Sequence, residues 1–333
     1  MTFERLVSDA SSLVPGSHAS ERASSKGTAS AGRVRGSSSS RSASGFCFVR
    51  SSLTLLVLTL FSCDGASAAR GTVLVRTSGG VEAREGIAAD RTIDGFAIAF
   101  DHAVLALDDF TVRTQLGDDA RVMADPAIVE LVPTSAETWR FDGVPAQRWD
   151  DVGYVTAPAR ADARRLGVDD AIADAMITNG WSSYYEGTLT APDGAVFPFA
   201  FGFPVTARYL RCRSGTDGGF GIAVPENGTA EVEISWHLTH LFFDSYAEDS
   251  ALRAEAMAAS VSEGETVTLA SLAAQPLASL RGLGGGPLRD DSGFPVLYIP
   301  PAEGAETLAD FVLAARFGHF NGLEGFCTTE LVR

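Results

Sequence analysis

The sequence predicts a mainly β fold: an antiparallel β-sandwich-like domain with one inserted helix and a helical C-terminal portion, α+β overall. Three observations carry this expectation. Short apolar runs alternate with polar residues at regular spacing between Gly71 and Val132. Aromatic and β-branched runs resume after Asn179-Gly180, and from Ser250 the composition shifts to Ala, Leu and Glu.

The first expected strands are Thr72 to Arg76, Gly95 to Phe100, Val104 to Leu107, Phe110 to Arg113 and Ile128 to Val132, each bounded by turn residues. Ala146 to Trp149 and Gly153 to Thr156 continue the pattern. Between Arg160 and Ile177, Ala, Arg, Asp and aliphatics recur at helical spacing, which predicts the inserted helix. Trp181 to Thr190 and Ala195 to Phe203 flank a Pro192-Asp193-Gly194 turn and form a hairpin. Arg208 to Cys212 and Ala230 to Phe243 supply two more strands. Helices are expected at Leu252 to Ser260, Leu269 to Ala274 and Thr307 to Phe317.

Ahead of this lie two segments of different character. Residues 1–45 are rich in Ser, Gly, Ala and Arg and poor in large apolar side chains, so they are expected to be disordered or to precede the true start; translation from Val34 gives a signal of ordinary length. Residues 46–62 read as a signal peptide, with Arg50 before an apolar run from Leu53 to Phe61 too short to cross a bilayer. Leu60-Phe61-Ser62-Cys63 is similar to the lipobox of bacterial lipoproteins, which makes Cys63 the lipidated residue; Phe61 is bulkier than that motif usually takes. The expected organisation is then a β-sandwich-like domain over 63–249 and a helical region over 250–333 packed on it. The membrane is met through the N-terminal lipid.

Charge narrows the partners. The chain carries a formal net charge of -16, with Lys26 its only lysine and 39 acidic against 19 basic residues from Cys63 onward. Phosphate binding needs clustered cations, so nucleic acid is not an expected partner. Of the four cysteines, Cys47 leaves with the signal and Cys63 carries lipid. Cys212 and Cys327 remain in an oxidising compartment, where pairing is expected; separate buried thiols are the alternative.

Four histidines lie beyond the signal. His237 and His240 stand three apart in a segment ending at Asp244, and His319 lies in Gly-His-Phe-Asn-Gly near Cys327. Imidazole and carboxylate groups so grouped suit a transition metal, Cu or Zn. Side chains three apart on an ideal strand face opposite ways, so a shared ion requires a bend near Thr239. A Cys212–Cys327 bridge would draw His319 toward the central strands, giving a site of His237, His240 and His319 with Asp244 as fourth ligand or outer partner. The competing reading makes His237 and His240 ordinary strand residues and His319 the cap of a helix end.

Signatures of catalysis are missing: no Gly-x-Ser-x-Gly, no His-Glu-x-x-His and no Gly-Lys-Ser/Thr loop. Acidic pairs such as Asp108-Asp109, Asp150-Asp151 and Asp169-Asp170 read more simply as solvated faces than as a carboxylate-dependent hydrolase. The dense aromatics Trp181, Tyr184, Tyr185, Phe197, Phe199, Phe201 and Phe203 read as core rather than ligand platform.

Several of these stretches together resemble a poorly characterised family of secreted lipoproteins of GC-rich Gram-negative bacteria. They are Trp236-His237-Leu-Thr-His240-Leu-Phe-Phe-Asp244, Gly318-His319 through Cys327, Asp94-Gly95-Phe96, Tyr185-Glu-Gly-Thr and Phe201-Gly-Phe. The resemblance implies a cell-envelope location and brings no established activity. It also implies a loop similar to an EF-hand at Ser260 to Ser271, where this chain departs: Ser271 stands where a bidentate Glu belongs, and only Glu263 and Glu265 remain. Calcium needs several carboxylate oxygens at fixed spacing, so a helix-loop-helix without its ion is expected. The sequence thus points to a non-catalytic envelope lipoprotein that binds a transition metal at its histidines; the alternative is a structural or protein-interaction lipoprotein without metal.

Overall fold

The computed structural model describes residues 69–114, 121–132, 135–246, 250–290, 292–300, 304–315, 317–322 and 325–332. The expected extension, signal peptide and lipidated Cys63 lie outside them. Among the described residues, strands account for 45% and helical segments for 17%, a mainly β protein.

In chain order the strands are β1 Arg70–Ser78, β2 Ala97–Arg113, β3 Arg121–Glu130, β4 Ala136–Pro145, β5 Arg148–Trp149, β6 Asp151–Thr156 and β7 Arg164–Leu166. They continue as β8 Ser183–Thr190, β9 Val196–Phe203, β10 Thr206–Arg213, β11 Ile222–Ala223, β12 Thr229–Trp236, β13 Gly318–Phe320 and β14 Phe326–Val332. The α-helices are short: α1 Gly80–Glu85, α2 Asp170–Asn179, α3 Glu255–Ala258, α4 Leu269–Ala273 and α5 Leu308–Leu313.

One sheet has the order β13-β12-β1-β4; the larger has the order β14-β10-β6-β2-β3-β7, with the β8–β9 hairpin joined through β2, and β5 pairs with β11. The sheets are mixed rather than wholly antiparallel, because β1 runs parallel to β12 and β3 parallel to β7. Both contribute to one core, in which Val73, Val75, Trp139, Val232 and Ile234 of the smaller sheet join Leu105, Phe110, Tyr154 and Tyr209 of the larger. Leu272, Leu308 and Phe311 from beyond residue 250 belong to the same core.

Three expected strands are one. The runs at Gly95, Val104 and Phe110 fuse into the 17-residue β2, and the polar pairs Asp101-His102 and Asp108-Asp109 that read as turns are places where its pairing register shifts. Extra residues at a bulge bend a strand without ending it.

The inserted helix starts later than its periodicity suggests. Residues Arg164–Leu166 form β7 beside β3, Gly167 turns the chain at φ +72°, and Asp169 caps α2 by accepting the Ala171 N–H at 2.7 Å. Gly180 closes the helix in the left-handed region, its N–H bonding the Ile177 and Met176 carbonyls.

The C-terminal portion is less helical than expected. The helices from Leu252, Leu269 and Thr307 shorten to α3, α4 and α5, and the chain ends in two strands, β13 and β14, which join different sheets. Cys212 of β10 and Cys327 of β14 form a disulfide, as the cysteine pattern predicts.

The loop between α3 and α4 keeps a helix-loop-helix outline. Val267 pairs with the β9 strand: its N–H donates to Pro198 at 2.7 Å and its carbonyl accepts from Ala200 at 3.0 Å. Ser271 serves as a cap, completing a capping box with Thr268 and meeting the Ser260 hydroxyl at 2.9 Å. The aromatic hairpin packs as core, with Tyr185, Phe197, Phe199, Phe201 and Phe203 buried and Trp181 stacked on Tyr184.

Candidate metal centre

The site forms where the smaller sheet ends. β12 stops at Trp236, whose indole N–H donates to the Tyr185 hydroxyl at 2.9 Å within the core. His237 follows in extended conformation, and a 3-10 turn over Leu238–Leu241 carries the chain onward. Buried Leu238 and Leu241 anchor that turn, and the His240 N–H closes on the His237 carbonyl at 3.2 Å. In a 3-10 turn positions three apart eclipse. This supplies the bend that a shared ion requires, so the expected strand to Phe243 is corrected to a strand ending at Trp236.

The third imidazole comes from the far end of the chain. β13 pairs antiparallel with β12, setting His319 opposite Ser235, and the His237 N–H donates to the Phe317 carbonyl at 2.9 Å. At Gly318, β13 passes close against the larger sheet: a side-chain carbon there would collide with the Tyr154 hydroxyl and the Tyr209 ring. Only a residue without Cβ fits such an approach.

His237, His240 and His319 each offer one ring nitrogen within 4.8 Å of the others, and among the described residues they form the one group of three or more such ligands able to hold a metal ion. The His237 and His319 rings stack with centroids 4.0 Å apart, and His240 lies 5.6 and 5.3 Å from them. All three residues are half-buried. Burial, reinforced by neighbouring His319 and then His240, holds the His237 imidazole far below its ordinary range, at about 3. A neutral imidazole is the form that ligates a metal.

Asp244 does not join them. Its carboxylate accepts from Arg253 Nε at 2.8 Å and from the Ala251 N–H at 3.0 Å, which secures the loop after the turn. This corrects its expected place as fourth ligand: the arginine, two positions beyond Ala251, takes the carboxylate. Aromatic neighbours that the sequence did not single out wall the site instead. Phe243 lies 4.9 Å and Phe317 6.3 Å from the His240 ring. His102 stands apart on β2, its Nδ1 2.9 Å from Glu130.

The acidic pairs have other duties. Asp169 caps α2, Asp170 pairs with Arg165, Asp150 with Arg148, and Asp151 accepts the Arg211 N–H. Burial and neighbouring Asp109 raise the Asp108 carboxyl, with Arg160 3.6 Å away opposing the shift.

None of the family models, curated proteins or solved structures compared with the chain matches it. Among the described residues no helix is long and apolar enough to cross a membrane.

Proposed function

We propose that the protein is a non-catalytic lipoprotein of the Gram-negative cell envelope, anchored through lipid on Cys63, that binds a transition metal through His237, His240 and His319. One observation carries this reading: three imidazoles from two distant parts of the chain converge within 4.8 Å. The donor set is all nitrogen, which suits Cu or Zn and not Ca. A sandwich-like pair of sheets is the scaffold, with the ligands on a strand end, a tight turn and a short paired strand.

The three ligands leave coordination positions for water or a second donor, the arrangement of an exchangeable site rather than a closed structural one. Storage, sensing or delivery of the ion fits such a site.

A second reading, an interaction lipoprotein without metal, draws on Phe294, Leu297 and Ile299, which stand 68, 72 and 60% exposed along one segment. Elemental analysis and calorimetric titration with Cu²⁺ and Zn²⁺ separate the two. The metal reading expects one ion per chain, lost in the His237→Ala/His240→Ala variant; no binding by either protein supports the interaction reading.

A further inference from the structure

We infer that the outer edge of β14 is a self-association surface, on which a second copy of the chain pairs β14 against β14, antiparallel about a two-fold axis at Thr329. This rests on the sheet edge and not on the metal reading.

β14 closes one end of the larger sheet, and among the described residues β10 is its only partner strand. Half of its backbone groups therefore point away from the sheet, a template for another strand. The other long edges are covered or defended: β9, whose one strand partner among the described residues is β8, bonds Val267 and Gly264 along its outer side. β4 carries two register shifts, Gly143 at φ +70° and a terminal proline. β14 has neither Pro nor Gly, and its side chains alternate between half-buried and exposed along its whole length.

The exposed row is Phe326, Thr328, Glu330 and Val332, with Phe326 52% and Val332 45% exposed. Place Thr329 opposite its own copy, and the strand is complementary to itself. Phe326 then faces Val332 at both ends, and Thr328 faces Glu330, so no like charges are opposed. Cations flank the strand: Arg208 is in register with Glu330, and Arg213 lies 5.8 Å over the Phe326 ring. On a chain of net charge -16 this edge lets two acidic molecules meet without acid facing acid. The contact is isologous, so it closes at two copies.

The test is the mass of the full chain in density-matched detergent, measured by sedimentation over a concentration series. The expected result is a rise from one copy to two for the wild type. Phe326→Lys/Val332→Lys and Phe326→Glu/Val332→Glu each place like charges face to face and stay at one copy, and their equimolar mixture recovers the two-copy species. Both positions are exposed, so circular dichroism is expected to show an unchanged fold. A wild type that stays at one copy throughout, a charged variant that associates like the wild type, or a mixture that fails to pair overturns the inference.

Discussion

The imidazoles of His237 and His319 stack with ring centroids 4.0 Å apart, although one follows β12 and the other sits in β13 near the end of the chain. Two elements assemble the three rings: the antiparallel pairing that sets His319 opposite Ser235, and the turn that brings His240 back to both. The candidate site is therefore a consequence of tertiary pairing as much as of the local His-x-x-His spacing.

Removing one ligand tests the set. His319→Ala is expected to weaken Cu²⁺ or Zn²⁺ binding by more than the roughly 10- to 100-fold that loss of an outer-shell partner costs. Calorimetry beside His102→Ala, which alters a histidine paired with Glu130, gives the comparison. Equal losses in the two variants would count against a specific site.

Gly318 tests the site without touching a ligand. Gly318→Ala forces a methyl group against Tyr154 and Tyr209 and displaces β13. The expected outcome is weaker metal binding together with a loss of stability of about 1–3 kcal/mol, the usual range for overpacking. Binding and unfolding midpoints read the two effects separately, and an unchanged affinity would show that His319 tolerates movement of its strand.

Acid should destabilise the metal-free protein. His237 stays neutral in the fold down to about pH 3, while its ordinary value is 6.5. Between these values the unfolded chain binds a proton that the folded chain does not, so stability falls as pH drops below 6.5. The penalty is moderated by partial exposure of the ring. Tm measured from pH 7 to 4 is expected to decline less steeply in His237→Asn than in the wild type; parallel curves would remove His237 from the account.

The disulfide ties the C-terminal strand to β10 across 115 residues of sequence. In the chain-entropy account, closing a loop of that size stabilises by up to about 5 kcal/mol. Cys212→Ala/Cys327→Ala is expected to lower the denaturant midpoint by a corresponding amount and to weaken metal binding, because β14 follows the segment that carries His319. A midpoint equal to the wild type would contradict this.

Much of the fold is legible in the sequence where local chemistry decides. Alternation marks β1, β8, β9 and β10, and the turn at Pro192-Asp193-Gly194 marks the hairpin. Where two signals compete, the pattern misleads. Asp101-His102 and Asp108-Asp109 read as breaks, yet β2 runs through both because long-range pairing on each side outweighs local turn preference. The seven residues of β14 alternate cleanly, and the Ala- and Leu-rich composition before them obscures that period of two.

The site was partly legible for the same reason. His237 and His240 announce themselves by spacing, and the cysteine pair brings the chain after His319 back to the central strands. Parallel pairing of β1 with β12 and the seating of β13 beside Tyr154 and Tyr209 are non-local, and no short motif encodes them. Asp244 looked like a ligand because it is close in sequence; Arg253, nine positions on, decides otherwise.

The most direct measurement is X-ray absorption at the metal edge of protein loaded with one equivalent of Cu²⁺ or Zn²⁺. About three imidazole nitrogens are expected at about 2.0–2.1 Å, falling by one in His319→Ala. A spectrum without imidazole scattering, or one unchanged by that substitution, would contradict this.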